Sequence, residues 1–529
     1  MNRLSLRYLL LVVWLLFGCN LVNGGNGPAG TGNLDRDSTV YLASGQPRTL
    51  DPAKTLAGPG GAVGLVFSGL VTLDTNLQVQ PEIAAGWQVS EDGTVYTFYL
   101  RKNALFHNGR PITAADVRFS WERAANPQTG SDTVRTYLGD IEGVEEMVSG
   151  RSDQISGLQI IDDYTLQVRL TAPVPYFLAK LTFPVAYLVD HENVTQNNWE
   201  HTPNGSGPFK LTTWRDDEII ILTRNDSYYL SPAGIKNIAY LMGAGIPLAM
   251  YENNEIDLVG VGGSNLERVQ DPNDPLSKEL VTGVAMCTNY IGLNTTIPPF
   301  NDGRVRQAFS YATDRERLVS GLYQGDALVA TGPLPPGMPG FNDRPNPYPY
   351  DPQKAREVLG AAGYTPETLP PLTYVTSGYG EVSSFVVTVI SMWQEALGVT
   401  VEPVVLDPYL YLDEIYAGNI GNIYDSGWCA DYPDPQNFLD VLFYTGSQQN
   451  LGGYSNPELD GLLTAARIQP DPQTRLAQYA AIEAQIIAEA PAIFTNYSFS
   501  AILVKPDIRG YILTSIEVPQ WHRVQLERN

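Results

Sequence analysis

A mixed α and β architecture in two or three domains is the expectation for this chain, and three observations carry it. Its 529 residues exceed what one hydrophobic core supports, while its 43% hydrophobic content is that of a folded protein. Strand-forming runs introduced by turn dipeptides alternate with capped segments of helical period. No short-period repeat runs through that alternation.

In chain order, Thr94-Val95-Tyr96-Thr97-Phe98-Tyr99-Leu100 is rich in strand formers, and Asp92-Gly93 ahead of it signals a hairpin turn. Thr113-Ala114-Ala115-Asp116 opens a helix as a capping box does. Val117, Trp121 and Ala124 follow at helical spacing, and Asn126-Pro127 stops the run. Residues 304–312 predict another helix, and Thr313 is expected to cap a second that carries Leu318, Val319 and Leu322. Asp351-Pro352 starts one more, with proline in the first turn and Gly363 beyond its end. The four prolines and three glycines of residues 332–340 forbid a helix there.

The N-terminus has the three parts of an export signal: Arg3 and Arg7, an apolar run from Tyr8 to Phe17, then Gly18 and Cys19. Ten residues cover only about 15 Å as a helix, half of a hydrocarbon core of about 30 Å, so a membrane span is not expected. Leu16-Phe17-Gly18-Cys19 resembles a bacterial lipobox, which makes Cys19 the expected site of lipidation; the alternative is a plain secretory signal. Residues 20–37 hold five glycines and read as a flexible tether reaching roughly 25 Å. The folded part is expected from Ser38 onward.

A net charge of −24 and a pI near 4.5 argue against nucleic acid or an anionic membrane surface as a partner. If Cys19 is lipidated, Cys287 and Cys429 remain, and parity in an oxidising compartment leaves open a bridge or two separate thiols. His107, His191, His201 and His522 are scattered without ligand spacing, so no metal site and no cofactor are expected. There is no G-x-S-x-G elbow and no Walker-type loop. Asp190-His191-Glu192 is a loop histidine between acids, which solvation explains.

The densest chemistry lies in Gly427-Trp428-Cys429-Ala430-Asp431-Tyr432-Pro433-Asp434-Pro435. Asp431 and Asp434 are candidates for a general acid and base pair, but an aspartate before proline is a common turn residue, which leaves Asp431 as the acid of interest. Each proline biases its predecessor to an extended shape, so Trp428 to Asp431 is expected to be strand-like with an edge open to pairing.

Residues 84–87, Asp92-Gly93-Thr94, Phe106-His107-Asn108-Gly109 and residues 111–117 together resemble the signature of family 5 solute-binding proteins, the receptors of peptide and nickel ABC importers. The likeness continues through residues 205–209, 224–229 and 291–294, then Pro299-Phe300, Val305-Arg306-Gln307-Ala308 and Leu503-Val504-Lys505-Pro506. Cys287-Thr288-x-Tyr290 with Gly427 to Tyr432 is similar to the oligopeptide-binding branch. That resemblance implies a two-lobed, three-domain α/β fold of the class II periplasmic-binding-protein kind, with a hinge. Residues 38–70, 190–286 and 500–529 would build the core domain of lobe 1, residues 71–189 its accessory domain, and residues 287–499 lobe 2.

It also implies that Cys287 and Cys429 pair, that Asp431 grips a peptide's amino terminus, and that Gly427, Trp428, Cys429, Ala57 and Gly58 contact the ligand. Some relatives carry a basic residue for the peptide's carboxylate where this chain has Asp425. The expected function is that of an extracytoplasmic, lipid-anchored monomer that binds oligopeptides and delivers them to an ABC permease and ATPase complex, with no catalytic residue. Two alternatives are weighed beside it: the same fold binding an oligosaccharide, nickel complex or haem, and an exported hydrolase using Asp431 and Asp434.

Overall fold

The computed structural model describes residues 34–528 apart from 244, 324–326, 517 and 519. The export signal, Cys19 and residues 20–33 of the expected tether lie outside the described residues. The described residues begin ahead of the expected start at Ser38. Asp35 caps the short turn Arg36–Ser38, and Arg36 donates to the Asp257 carboxylate 3.0 Å away. Asp257 is fully buried and also receives Arg528 at 2.7 Å, so the demand of a buried anion for cations draws the first described residues onto the fold.

Strands Ala84–Val89 and Val95–Leu100 form the hairpin at Asp92-Gly93, with Gly93 at φ +72°. Thr165–Arg169 and Leu158–Asp162 complete an antiparallel sheet. Helix Ala114–Ala125 packs beside it, opened by the Thr113 and Asp116 capping box. Trp121 is fully buried, and its indole N–H donates to the Ala186 carbonyl at 2.9 Å, which satisfies the one polar atom the ring brings inside.

The rest of the chain is organised on one mixed sheet. Leu280–Leu293 and Ala492–Val504 lie antiparallel at its centre. To one side lie Leu258–Gly260, Thr39–Ser44, Asn237–Met242, Ile219–Arg224 and Phe209–Arg215; to the other lie Ile423–Cys429, Leu372–Ser377 and Val401–Leu406. The central pair is registered in two blocks, 280–284 against 499–503 and 288–292 against 492–497, with an irregularity between. Met286 sits in that break. Its N–H donates to the Ser515 carbonyl and its own carbonyl accepts from Ala430, both at 2.8 Å, so no buried backbone group is left unpaired. The expected boundaries near 286 and 499 fall there, yet both strands run through, so the two halves share a sheet.

Beyond the break, helix Gly303–Tyr311 is followed by helix Arg315–Leu318. The cap of the latter is Asp314, whose carboxylate accepts from the Arg317 N–H, and not Thr313. Thr313 is buried, donates to the Phe309 carbonyl and accepts from the Trp393 indole, so its hydroxyl is already engaged. Asp351 caps Pro352–Ala361 through its side chain. Residues 332–340 form a loop with Leu334 and Met338 buried. Among the described residues no helix is long and apolar enough to cross a membrane.

Candidate ligand-binding site

Strand Ile423–Cys429 carries the start of the Gly427 to Pro435 stretch. It pairs antiparallel with residues 287–293, which puts Cys429 directly opposite Cys287, and the two are joined by a disulfide. On the other side, the parallel neighbour Leu372–Ser377 covers only Ile423 and Tyr424. From Asp425 to Cys429 that edge has no strand partner among the described residues. The strand ends two residues before Asp431, because the Asp431 N–H leaves the ladder for the Asn437 side-chain oxygen at 2.9 Å.

Asn437 is the organiser of the corner. It is fully buried in the first turn of helix Gln436–Phe443, and its Oδ1 accepts from both the Asp431 N–H and the Trp428 indole, the latter at 3.2 Å. Its Nδ2 donates to Asp431 Oδ2 at 3.2 Å, and the Tyr137 hydroxyl donates to the same oxygen at 2.5 Å. Tyr137 lies in the short helix Val134–Leu138 and is stacked on Phe183 at 3.9 Å. Next along the chain, Tyr432 is fully buried in the hydrophobic core that also holds Tyr137, Phe183 and Trp121. Asp431 therefore stands where the strand Ile423–Cys429 meets that core. Both of its partners are neutral, and burial pushes its carboxyl up to about 6 against the pull of the Tyr137 and Asn437 bonds.

Asp431, Trp428, Cys429 and Gly58 line one cavity of about 710 Å³. The same cavity is also lined by Pro59 to Gly61 and, near the C-terminal end, by Tyr511, Leu513 to Ile516, Val518, Gln520 and Trp521. The loop to Gly58 is held at its root by the fully buried Asp51, which takes Arg123 in two bonds of 2.9 and 2.6 Å. Ala57, expected to contact the ligand, is exposed and lies off the cavity wall, its N–H bonded to the Thr55 hydroxyl at 3.0 Å. A Cβ on Gly58 would meet nothing within 4 Å, so this loop approaches the cavity without crowding. Gly427 belongs to a second pocket of about 350 Å³ that shares Tyr416, Trp428 and Gln449 with the first. Asp425 lies in that pocket's lining. Among the described residues lining the main cavity there is no lysine, arginine or histidine.

Residues 78–450 match the family described as bacterial extracellular solute-binding proteins, family 5 Middle. The chain belongs to this family. It is 30% identical over 520 residues to the periplasmic oligopeptide-binding protein OppA of Escherichia coli, covering 94% of each chain. It is equally identical over 504 residues, 92% of each chain, to a probable deoxycholate-binding periplasmic protein of the same organism. The structure of the E. coli murein tripeptide binding protein MppA superposes with a TM-score of 0.83 at 25% identity, covering 94% of this chain and all of that one. The unliganded open form of MppA gives only 0.70, at 26% identity over 93% and 98% of the two chains. The fold is the mixed α/β fold of the periplasmic peptide-binding proteins.

In this family 5 member the two acids of the Gly427 to Pro435 stretch are separated by environment. Asp434 does not line the cavity. Its carboxylate takes Arg475 in two bonds of 2.7 Å and caps the Gln436 N–H, so the acid and base pair with Asp431, on which the hydrolase alternative rests, does not form. Asp190 is likewise consumed by Arg110 at 2.8 Å, leaving His191 half exposed on the surface. Tyr137 and Asn437 escape a reading of the sequence. The start of a helix after Pro435 could have pointed to Asn437, but nothing near residue 137 announces its contact with a residue 294 positions away.

Proposed function

We propose that this chain is the extracytoplasmic receptor of an ABC importer, binding oligopeptides by their amino end between the two lobes and passing them to a membrane permease and ATPase complex. The observation that carries the reading is Asp431: a carboxylate with only neutral partners, facing a cavity without a cation, at the end of an unpaired strand edge. An ammonium there makes a charge-assisted hydrogen bond, and the edge from Asp425 to Cys429 offers main-chain pairing indifferent to peptide sequence. Trp428, Cys429 and Gly58 would form the walls around the first residues. A bile-acid-like solute fits less well, because its own carboxylate would enter beside Asp431 with no cation to meet either.

Closure about the break at Met286 is part of the proposal. The bond from Tyr137 to Asp431, the seat of Tyr432 and the poorer match to an open relative all support it. Anchoring through lipid on Cys19 and action as a monomer complete the picture. Calorimetry with a free and an N-acetylated oligopeptide tests the core of it: the free peptide should bind and the acetylated one should fail. Equal affinity would exclude amine recognition by Asp431. Mass spectrometry of ligand retained on gently purified protein should show intact peptides, where a sugar, a metal complex or a bile acid would point to another solute.

A further inference from the structure

We propose that the pocket floored by Asp425 is a subsite for a cationic ligand side chain, lysine or arginine, so that the receptor prefers peptides with a basic residue among their first few positions. This rests on the amino-end reading of Asp431. The pocket of about 350 Å³ opens beside the main cavity and shares Tyr416, Trp428 and Gln449 with it, so a side chain can enter while the backbone stays in the larger space. Asp425 is four residues before Cys429 on the same strand, about 13 Å along it, so a chain whose first residue lies beside Cys429 brings its fifth residue there, or a long side chain from its third or fourth reaching forward.

The chemistry of the pocket selects for a cation. Asp425 accepts from the Tyr374 hydroxyl at 2.6 Å and the Thr376 hydroxyl at 2.5 Å, and its carbonyl oxygen accepts from the Tyr411 hydroxyl at 2.6 Å. None of these is charged, and two bonds use only half of what a carboxylate accepts. Burial raises its proton affinity, and no arginine, lysine or histidine counters that. Elsewhere in this chain the buried Asp51, Asp257 and Asp440 and the partly buried Asp434 each hold a guanidinium. The rings of Tyr411 and Tyr416 along the same pocket supply faces on which an alkyl stem or guanidinium packs.

The test is a scan of tetrapeptides with free amino ends, placing lysine or its neutral near-isostere norleucine at each position in turn, read by calorimetry. One position should favour lysine by about tenfold or more, the size of a charge-assisted bond. Asp425→Asn should reduce that preference to within about twofold. Leu412→Arg should do the same from an exposed position on the pocket rim, so a folding defect in the first variant does not decide the result. Lysine and norleucine binding alike at every position, or a lysine preference surviving in both variants, would overturn the subsite. If no tetrapeptide binds at all, the peptide reading falls. The pocket is then read alone by saturation-transfer NMR with n-butylguanidinium and n-butylurea. A guanidinium signal lost in Leu412→Arg keeps the subsite; equal signals from the two compounds remove it.

Discussion

Two regions separated by one turn of chain treat buried acids in opposite ways. Behind the Gly427 to Pro435 stretch, Asp434 is bound by Arg475 and Asp440 by Arg467, with Tyr479 donating to Asp440 at 3.0 Å. On the cavity side, Asp431 has only a tyrosine hydroxyl and an asparagine amide. An acid that holds the fold together brings its own cation, because leaving one buried ion unpaired costs several kcal/mol. Asp431, whose neighbours are all neutral, costs the free protein stability and, on the proposed reading, is set for a cation that arrives from outside. The same sequence motif thus contains a carboxylate held by an arginine and, three residues earlier, one with only neutral partners, the one proposed for binding.

The comparison breaks first at Arg475. Replacing it with methionine strands Asp434 and should lower stability by about 3 to 5 kcal/mol in chemical denaturation, with the folded fraction still binding peptide. A small effect there would mean that Asp434 needs no cation, and the distinction between the two regions would collapse. Asp431→Asn should do the reverse. Affinity for a free-amine oligopeptide should drop tenfold or more, about 1.5 to 3 kcal/mol, while stability at neutral pH holds or rises.

A pH series sharpens the same point. The Asp431 carboxyl titrates near 6 in the folded chain, above the unfolded value of about 3.9, so the folded state binds the extra proton between those values. Its contribution to stability is fully present below about pH 4 and is lost as pH rises through 6; Asp431→Asn should lack that slope. Peptide affinity runs the other way. An ammonium needs the ionised form, so binding should weaken about tenfold from pH 7 to pH 5 in the wild type and stay flat in the variant. The smallest effect belongs to Tyr137→Phe. It removes one bond to Asp431 but keeps the Phe183 stack, and should cost about 1 kcal/mol or less in affinity, read as a faster off-rate.

Local signals carried much of the fold. Thr113 with Asp116, Asp92-Gly93 and Asp351-Pro352 each specify an element within a few residues, because caps and turns are settled by groups adjacent in the chain. Thr313 shows the limit: two good caps stand side by side, and the tertiary bond from Trp393 decided that Asp314 takes the role.

By itself the sequence determined the alternation of strands and helices, an acidic chain without a metal or nucleophile signature, and one stretch where an unusual acid follows an extended run. Only the tertiary structure decided which acid is paired with a cation and which is left among neutral groups. That choice depends on whether a guanidinium or a neutral hydroxyl lies within hydrogen-bond reach. Arg475 is 41 positions from Asp434 and Tyr137 is 294 from Asp431. No local pattern encodes those distances, because a buried charge is priced by everything that surrounds it once the chain has closed.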